Sequence, residues 1–334
     1  MAGITGDSTH RERGEGGGAG ADLGQAAADL RPAGAITADS TTLRSKTSVW
    51  LELGRVSNLP TVWSNVLAGA VLAGASAGAL WQSTTALPLL LALTLFYLGG
   101  MYLNDACDAE IDARERADRP IPRGDVDRLT VALLGAGMLA LGSLLLFMSH
   151  LSAGLTGLAL IAAILSYDWW HKRIGWSPLL MGACRLLTYL TAALVVTNTL
   201  NDMVVWGAIG LACHVIGLTY AARQEAYDRL GAAWPLGVLA VPVVFMLAAM
   251  LTGPEPSLLA LALWLGYLAW GARCLMWLFR RAPGDVPRAV VGLIAAISLY
   301  DATLMAAMGA TAMAWLGVLA FAATLALQRV TSGT

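Results

Sequence analysis

Charge is what this chain has least of. Asp, Glu, Lys and Arg make up 13% of its 334 residues, about half the share usual in a water-soluble domain. So few polar groups cannot coat a soluble globule of this size. Cysteine is scarce too: Cys107, Cys184, Cys213 and Cys274 are scattered and form no CxxC pair, which argues against a thiolate metal site and a disulfide framework. The first 43 residues are rich in Gly, Ala, Asp, Ser and Thr and contain no long apolar run, so they do not read as a secretory signal peptide. A disordered cytoplasmic tail is expected over 1–43. Short alternating segments, which a transmembrane β-barrel would need, are missing as well.

What is present is apolar: 57% of the residues are hydrophobic and the mean hydropathy is +0.65. The apolar residues come in runs of about 18 to 22, long enough to cross a hydrocarbon core of about 30 Å as helices. The expected fold is all-α, a polytopic membrane bundle of about ten transmembrane helices filling one domain over 44–334. Spans are expected near 60–80, 86–103, 129–149, 152–167, 178–197, 203–221, 234–252, 257–279, 289–308 and 311–328, after an amphipathic lead-in from Ser48 to Leu59. The last two are joined so tightly at Gly309 that a single broken unit would fit them too. Gly and Ala within the runs let helices approach closely in lipid.

Orientation follows from Lys and Arg. With the N-terminus inside, the inner segments carry Arg44, Lys46 and Arg55, then Arg114 to Arg128, Lys172 and Arg173, Arg223 and Arg229, Arg280 to Arg288, and Arg329. The outer loops near 81–85, 150, 198–202 and 253–256 carry none. This bias holds for every loop at once and therefore supports the span count. Asp105 lies 45 positions after Pro60, and Arg223 lies 45 after Pro178. That recurrence points to two parallel repeats, whose interface is a common place for a site. The tryptophans at 169, 170, 234, 264, 270 and 277 read as interfacial anchors, and His214 as a hydrogen-bonded core residue.

The chemistry concentrates where span two leaves the membrane. Asn104, Asp108 and Asp112 are four apart, so a continued helix puts them on one face, with Asp105 beside it. Like charges at this spacing repel, a cost that makes sense if cations are held there. Oxygen-only ligands point to a hard ion, Mg²⁺, bound through carboxylates together with phosphate oxygens. Arg119 and Arg123 follow closely and can contact the same phosphates.

The run Asn104-Asp105-Ala106-Cys107-Asp108-Ala109-Glu110-Ile111-Asp112, followed by Arg119-Pro120-Ile121-Pro122-Arg123-Gly124, resembles the first aspartate-rich motif of the UbiA superfamily of intramembrane prenyltransferases. Tyr167 to Lys172 resembles that family's Tyr-then-Lys segment. Arg55 and Asn58 stand where the family often carries polar residues near the site. The resemblance covers about residues 48–310; the last span lies outside it, the family usually having nine.

The resemblance implies an isoprenyl diphosphate bound through Mg²⁺ by Asn104, Asp105, Asp108 and Asp112, with Arg119, Arg123 and Lys172 facing the diphosphate. It implies ionisation of the allylic C–O bond and capture of the cation by an aromatic or other lipophilic acceptor. Asp105, Asp108, Asp112 and Lys172 are the expected catalytic groups. Substrate contacts are expected from Arg55, Asn58, Asn104, Tyr167, Arg185, Arg223 and Asp301. Membrane lipids are the expected surroundings, a bacterial plasma membrane the expected location, and no nucleic-acid partner is expected.

The family's second aspartate-rich motif is altered here. Its place reads Tyr220-Ala221-Ala222-Arg223-Gln224-Glu225-Ala226-Tyr227-Asp228, a pattern similar to a divergent EboC-like bacterial branch. Either Glu225 and Asp228 hold a second Mg²⁺, or Arg223 replaces that ion as a fixed charge. Arg185 and Asp301 lie inside spans, where an ionisable residue is a functional candidate by default; they pair with each other, or Asp301 lines the acceptor pocket. A catalytically altered protein that binds or transports a lipophilic metabolite is the alternative. An ion-coupled transporter fits less well, because the polar residues gather at the inner face rather than at the midplane.

Overall fold

The computed structural model of this chain describes residues 46–76, 78, 84–171, 174–226, 234–280 and 282–330, without the side chains of 46, 221–226 and 236. The tail expected over 1–43 lies outside these residues, as do Lys172 and Asp228. Arg223 and Glu225 are among the residues whose side chains are not described.

Among the described residues the regular structure is entirely helical. A short α1 (Lys46–Leu53) and a 3₁₀ turn (Val56–Asn58) lead into α2 (Leu59–Leu72), α3 (Ala86–Glu115), α4 (Arg128–Ser149) and α5 (Leu151–Trp170). Then follow α6 (Ser177–Thr197), α7 (Asp202–Ala226), α8 (Trp234–Thr252), α9 (Leu258–Arg280), α10 (Asp285–Ala307) and α11 (Thr311–Leu327). Pro60 and Pro178 sit in the first turns of α2 and α6, where a missing N–H costs nothing. Helices α2 to α11 overlap the ten expected spans, although α2 ends at Leu72 rather than near 80, and among the described residues seven of the helices are long and apolar enough to cross a membrane. Gly309, at φ 77°, turns the chain between α10 and α11, so the last two runs form two helices.

Two helices make the centre. Every residue of α2 except Trp63 is buried, and α10 is buried along most of its length. They pack on each other, with α6 also against α2 and α9, α7 and α11 around α10. The outer helices show leucines such as Leu133, Leu144, Leu155 and Leu261 on their exposed faces. In water such surface would be a liability; in lipid it is the expected exterior. Trp169, Trp170 and Trp234 are exposed as anchors would be. Trp264 and Trp270 differ: their indole N–H groups donate to Val243 O at 3.1 Å and Gly292 O at 2.8 Å. Away from water an indole N–H needs an acceptor, and a carbonyl on a neighbouring helix supplies it.

Helix α3 positions the site. Its 30 residues run about 45 Å at 1.5 Å per residue, longer than a hydrocarbon core of about 30 Å. Its last turns therefore extend past the apolar layer. Gly99 and Gly135 let α3 and α4 touch backbone to backbone: a Cβ on Gly99 would lie 2.8 Å from Gly135 O, and one on Gly135 2.9 Å from Gly99 O. Gly135→Val should lower the unfolding midpoint of the protein in nanodiscs, by about 1–3 kcal/mol of overpacking. Gly137→Ala, on the same helix with open space at its Cβ, should leave the midpoint unchanged or slightly raised.

Candidate active site

Four polar residues in the C-terminal turns of α3, Asn104, Asp105, Asp108 and Asp112, are all buried, at 4–8% exposure. Three carboxylates on adjacent turns cannot be held out of water without cations, and the fold delivers them from two segments that flank α3. Arg119, in the loop after α3, donates from Nη1 to Asp105 Oδ1 at 2.8 Å and places Nε 4.0 Å from Asp112 Oδ2. Arg55, between α1 and the 3₁₀ turn, donates from Nη2 to Asp105 Oδ1 at 3.1 Å and to Asn104 Oδ1 at 3.4 Å. Arg55 has a left-handed backbone, φ 42° and ψ 48°, which disfavours a side chain by about 1–2 kcal/mol. The ion pair with Asp105, and the hydrogen bond from Tyr97 OH to Arg55 O at 3.1 Å, hold it there.

The loop is organised around the same need. Gly124 adopts φ 82°, a conformation open to glycine, and reverses the chain after Arg119-Pro120-Ile121-Pro122. Asp127 caps α4 by accepting from Thr130 N at 2.9 Å. Arg128 ties the loop back to α3 through Ala106 O at 2.8 Å and Glu110 Oε1 at 3.0 Å. Arg123, expected to face phosphate, instead donates to Asp125 and to Asp118 O. That bonding raises its already high pKa and keeps its guanidinium in the loop.

The C-terminal end of α5 also reaches the cradle. Asn104 donates from Nδ2 to Asp168 Oδ1 at 3.2 Å. His171 places Nε2 3.2 Å from Asp108 Oδ2 and stacks its ring on Tyr167 at 4.9 Å. Asp168 and His171 lie between Tyr167 and Lys172 and are not among the site residues expected from the sequence. The signal available was a carboxylate one residue from the end of an apolar span.

Beside this cradle lies a narrow cleft lined by Val62, Leu93, Phe96, Tyr97, Gly100, Met101, Leu160 and Ile164 together with Tyr167, Asp168, Met181, Cys184, Arg185 and Thr188. Arg185 reaches it from α6 and is fixed from behind. Its Nη1 donates to Asn65 Oδ1 at 2.7 Å and its Nη2 to Thr61 Oγ1 at 3.1 Å. Asn65 in turn donates to Asp301 Oδ2 at 2.7 Å, and Asp301 also accepts from Ser64 and Tyr189. Arg185 and Asp301 are thus linked through Asn65 rather than in contact. Asp301, fully buried, does not line this cleft.

Asn58 accepts from Gln328 Nε2 at 2.8 Å, which ties the 3₁₀ turn to the chain just after α11. His214 is the core residue expected, with Nδ1 2.7 Å from Tyr267 OH and Nε2 2.9 Å from Leu293 O.

Among the described residues no three Asp, Glu, His or Cys side chains form a ready-made metal cage. The donors on α3 are nonetheless oxygen only, and Mg²⁺ commonly takes one or two carboxylates and completes its shell with water and phosphate. The residues present fit that partial set. Asp105 is the member bonded to both arginines. Replacing both Arg55 and Arg119 with Gln should therefore lower stability by about 1–2 kcal/mol, less than a fully buried pair would cost because the cleft admits water. Adding Asp105→Asn to that double variant should restore most of the loss, as read by thermal unfolding in nanodiscs.

Comparison with known proteins places this architecture. The UbiA prenyltransferase family profile matches residues 62–232, just over half of the chain. A digeranylgeranylglyceryl phosphate synthase of Methanopyrus kandleri is 36% identical over 93 residues, 28% of this chain and 32% of that protein. One from Metallosphaera sedula is 32% identical over 118 residues, 34% of this chain and 40% of that protein. The matched stretches thus span less than half the length of these curated relatives. A solved structure reported for digeranylgeranylglyceryl phosphate synthase in membranes superposes with TM-score 0.53 at 18% identity, covering 79% of this chain and 99% of that one. The apo structure of a UbiA homologue from Aeropyrum pernix K1 gives 0.47 at 18% identity, covering 81% and 97%. The helical bundle, the buried aspartates that end α3 and the matching profile agree: this chain is an integral, multi-pass membrane protein and belongs to the UbiA prenyltransferase family.

Proposed function

We propose that the protein transfers an isoprenyl group from an isoprenyl diphosphate to a lipophilic or aromatic acceptor, at the inner end of α3. The observation that supports this most is the cradle itself: buried Asn104, Asp105, Asp108 and Asp112, with Arg55 and Arg119 bonded to Asp105, at the edge of an apolar cleft. Arg55 and Arg119 each keep donors beyond those bonded to Asp105, and these can take diphosphate oxygens. Asp108 and Asp112, with the Asn104 carbonyl, are the groups to hold Mg²⁺. When bound, that ion supplies charge stabilisation to the departing diphosphate. Asp105 acts through the two arginines, holding both guanidiniums where the leaving group gains charge. His171 orients Asp108.

The cleft walls do the remaining work. Leu93, Phe96, Leu160 and Ile164 give the isoprenyl chain an apolar bed and keep water from the allylic cation until the acceptor captures it. Lys172, and the altered second motif of Arg223, Glu225 and Asp228, remain candidate diphosphate or metal contacts in this reading. The positive-inside bias supports a cytoplasmic N-terminus and a cradle on the same face. A protein that binds the diphosphate without turnover is the competing reading.

Diphosphate release separates the two. Purified protein in nanodiscs, given Mg²⁺, isoprenyl diphosphates of several lengths and a mixed acceptor extract, should release diphosphate. Asp108→Ala should cut the rate by about 10²-fold or more, and chelation of Mg²⁺ should do the same. Tight donor binding with no release from any donor would favour binding without turnover.

A further inference from the structure

The final turns of α9 carry positive charge on an exposed face. Arg273, Trp277 and Arg280 are four and three residues apart, so they form one stripe along the helix. Arg273 and Arg280 are exposed, as are Met276 and Phe279 in the same turns. Across the turn at Gly284, α10 adds Arg288.

This charge is only partly answered. Asp285 is the carboxylate that meets it among the described residues, and it is fully buried. It accepts from Arg280 Nε and Nη2, both at 2.7 Å, and from Ala282 N at 3.1 Å. Arg288 Nη1 lies 4.0 Å from the same carboxylate. One acid therefore serves two arginines, whose side chains are 60% and 66% exposed. Arg280 keeps its Nη1 donors for an outside partner. Arg273 has no carboxylate partner among the described residues. Its neighbour is the Trp277 ring, with the centroid 5.0 Å from Cζ. A ring face attracts a cation but offers no oxygen to the five N–H donors of a guanidinium.

Depth decides which kind of anion fits. Arg273 stands seven residues before Arg280, about 10 Å further into the span. A guanidinium left against bare hydrocarbon is costly, and a soluble anion gains nothing by approaching Met276 and Phe279. A lipid answers both needs. Its phosphate lies at the edge of the apolar layer, within reach of a long side chain that extends toward it, and its chains cover the apolar residues of the same turns.

We propose that the end of α9 and the start of α10 bind an anionic phospholipid, with its headgroup held between Arg273 and the Arg280–Arg288 pair. The site shares no residue with the α3 cradle and does not depend on prenyl transfer.

Native mass spectrometry of the full chain tests this. The protein is stripped of lipid in a neutral detergent and titrated with phosphatidylglycerol or phosphatidylcholine of identical chains. Wild type should bind phosphatidylglycerol about tenfold or more tighter, since each basic group near a lipid surface contributes about fivefold. Arg273→Gln should weaken phosphatidylglycerol about fivefold and leave phosphatidylcholine unchanged, while Arg273→Lys should keep most of the preference. Arg116→Gln, at an exposed arginine just after α3, should change neither. Equal affinity of wild type for the two lipids would overturn the proposal. So would equal losses in Arg273→Gln and Arg116→Gln, because a diffuse field rather than a site would then attract the lipid. Inorganic phosphate that displaced phosphatidylglycerol at comparable concentration would assign the arginines to a soluble anion instead. A dimer formed without lipid and lost in Arg273→Gln would put a second copy of the chain on this face, and would overturn the proposal as well.

Discussion

Carboxylates held out of water at the edge of a bilayer have to be answered by positive charge, and much of this molecule is arranged around that demand. Asp105 is 5% exposed and takes a guanidinium from each side of α3. One comes from Arg55, held in a left-handed conformation. The other comes from Arg119, brought back by a loop that turns at Gly124. Remove the carboxylates and neither the strained residue nor the folded-back loop has a reason to be where it is. Remove the arginines and three acidic groups face one another in a poorly hydrated corner. The same demand explains the length of α3, which must cross the apolar layer and still present two further turns beyond it.

A second polar system lies deeper and follows different rules. Around Asp301 the partners are mostly neutral: Ser64, Asn65 and Tyr189. Neutral donors satisfy a carboxylate's lone pairs, and they also pin three helices, α2, α6 and α10, to one point. Arg185 is attached to this system by Asn65 rather than by a direct ion pair. A direct pair would have consumed its donors. A relayed one leaves them facing the cleft. Among the described residues the two systems come together at the wall of one mostly apolar cleft, which both Asp168 and Arg185 line.

Close backbone contact lets the bundle keep these ends in register. Gly99 and Gly135 bring α3 against α4, and Gly69 brings α2 within contact of the Tyr189 carbonyl on α6. In lipid, where apolar side chains gain little by leaving their solvent, such contacts and the interhelical hydrogen bonds supply the specificity of packing. Trp264 and Trp270 belong to this account, since both use their indole N–H groups on neighbouring helices.

Much of the fold was legible in one dimension because a bilayer imposes a length and a sidedness on every span. Runs of apolar residues located the ten helices, and the four-residue spacing of Asn104, Asp108 and Asp112 put them on one face before any contact was known. Local rules of this kind need no partner. What they could not say is which cation answers which carboxylate. Arg119 and Arg123 look alike in the sequence, yet one reaches Asp105 and the other is occupied by Asp125. Asp168 and His171 lie 64 and 63 positions from their partners Asn104 and Asp108, and Asp301 lies 236 from Asn65. Those pairings depend on how helices are rotated against one another, which side-chain packing decides in three dimensions. Helix and span were properties of the sequence alone, because they follow from local apolar runs; the division of its few charges between the carboxylates that end α3 and the separate Arg185 in the cleft belonged to the tertiary structure.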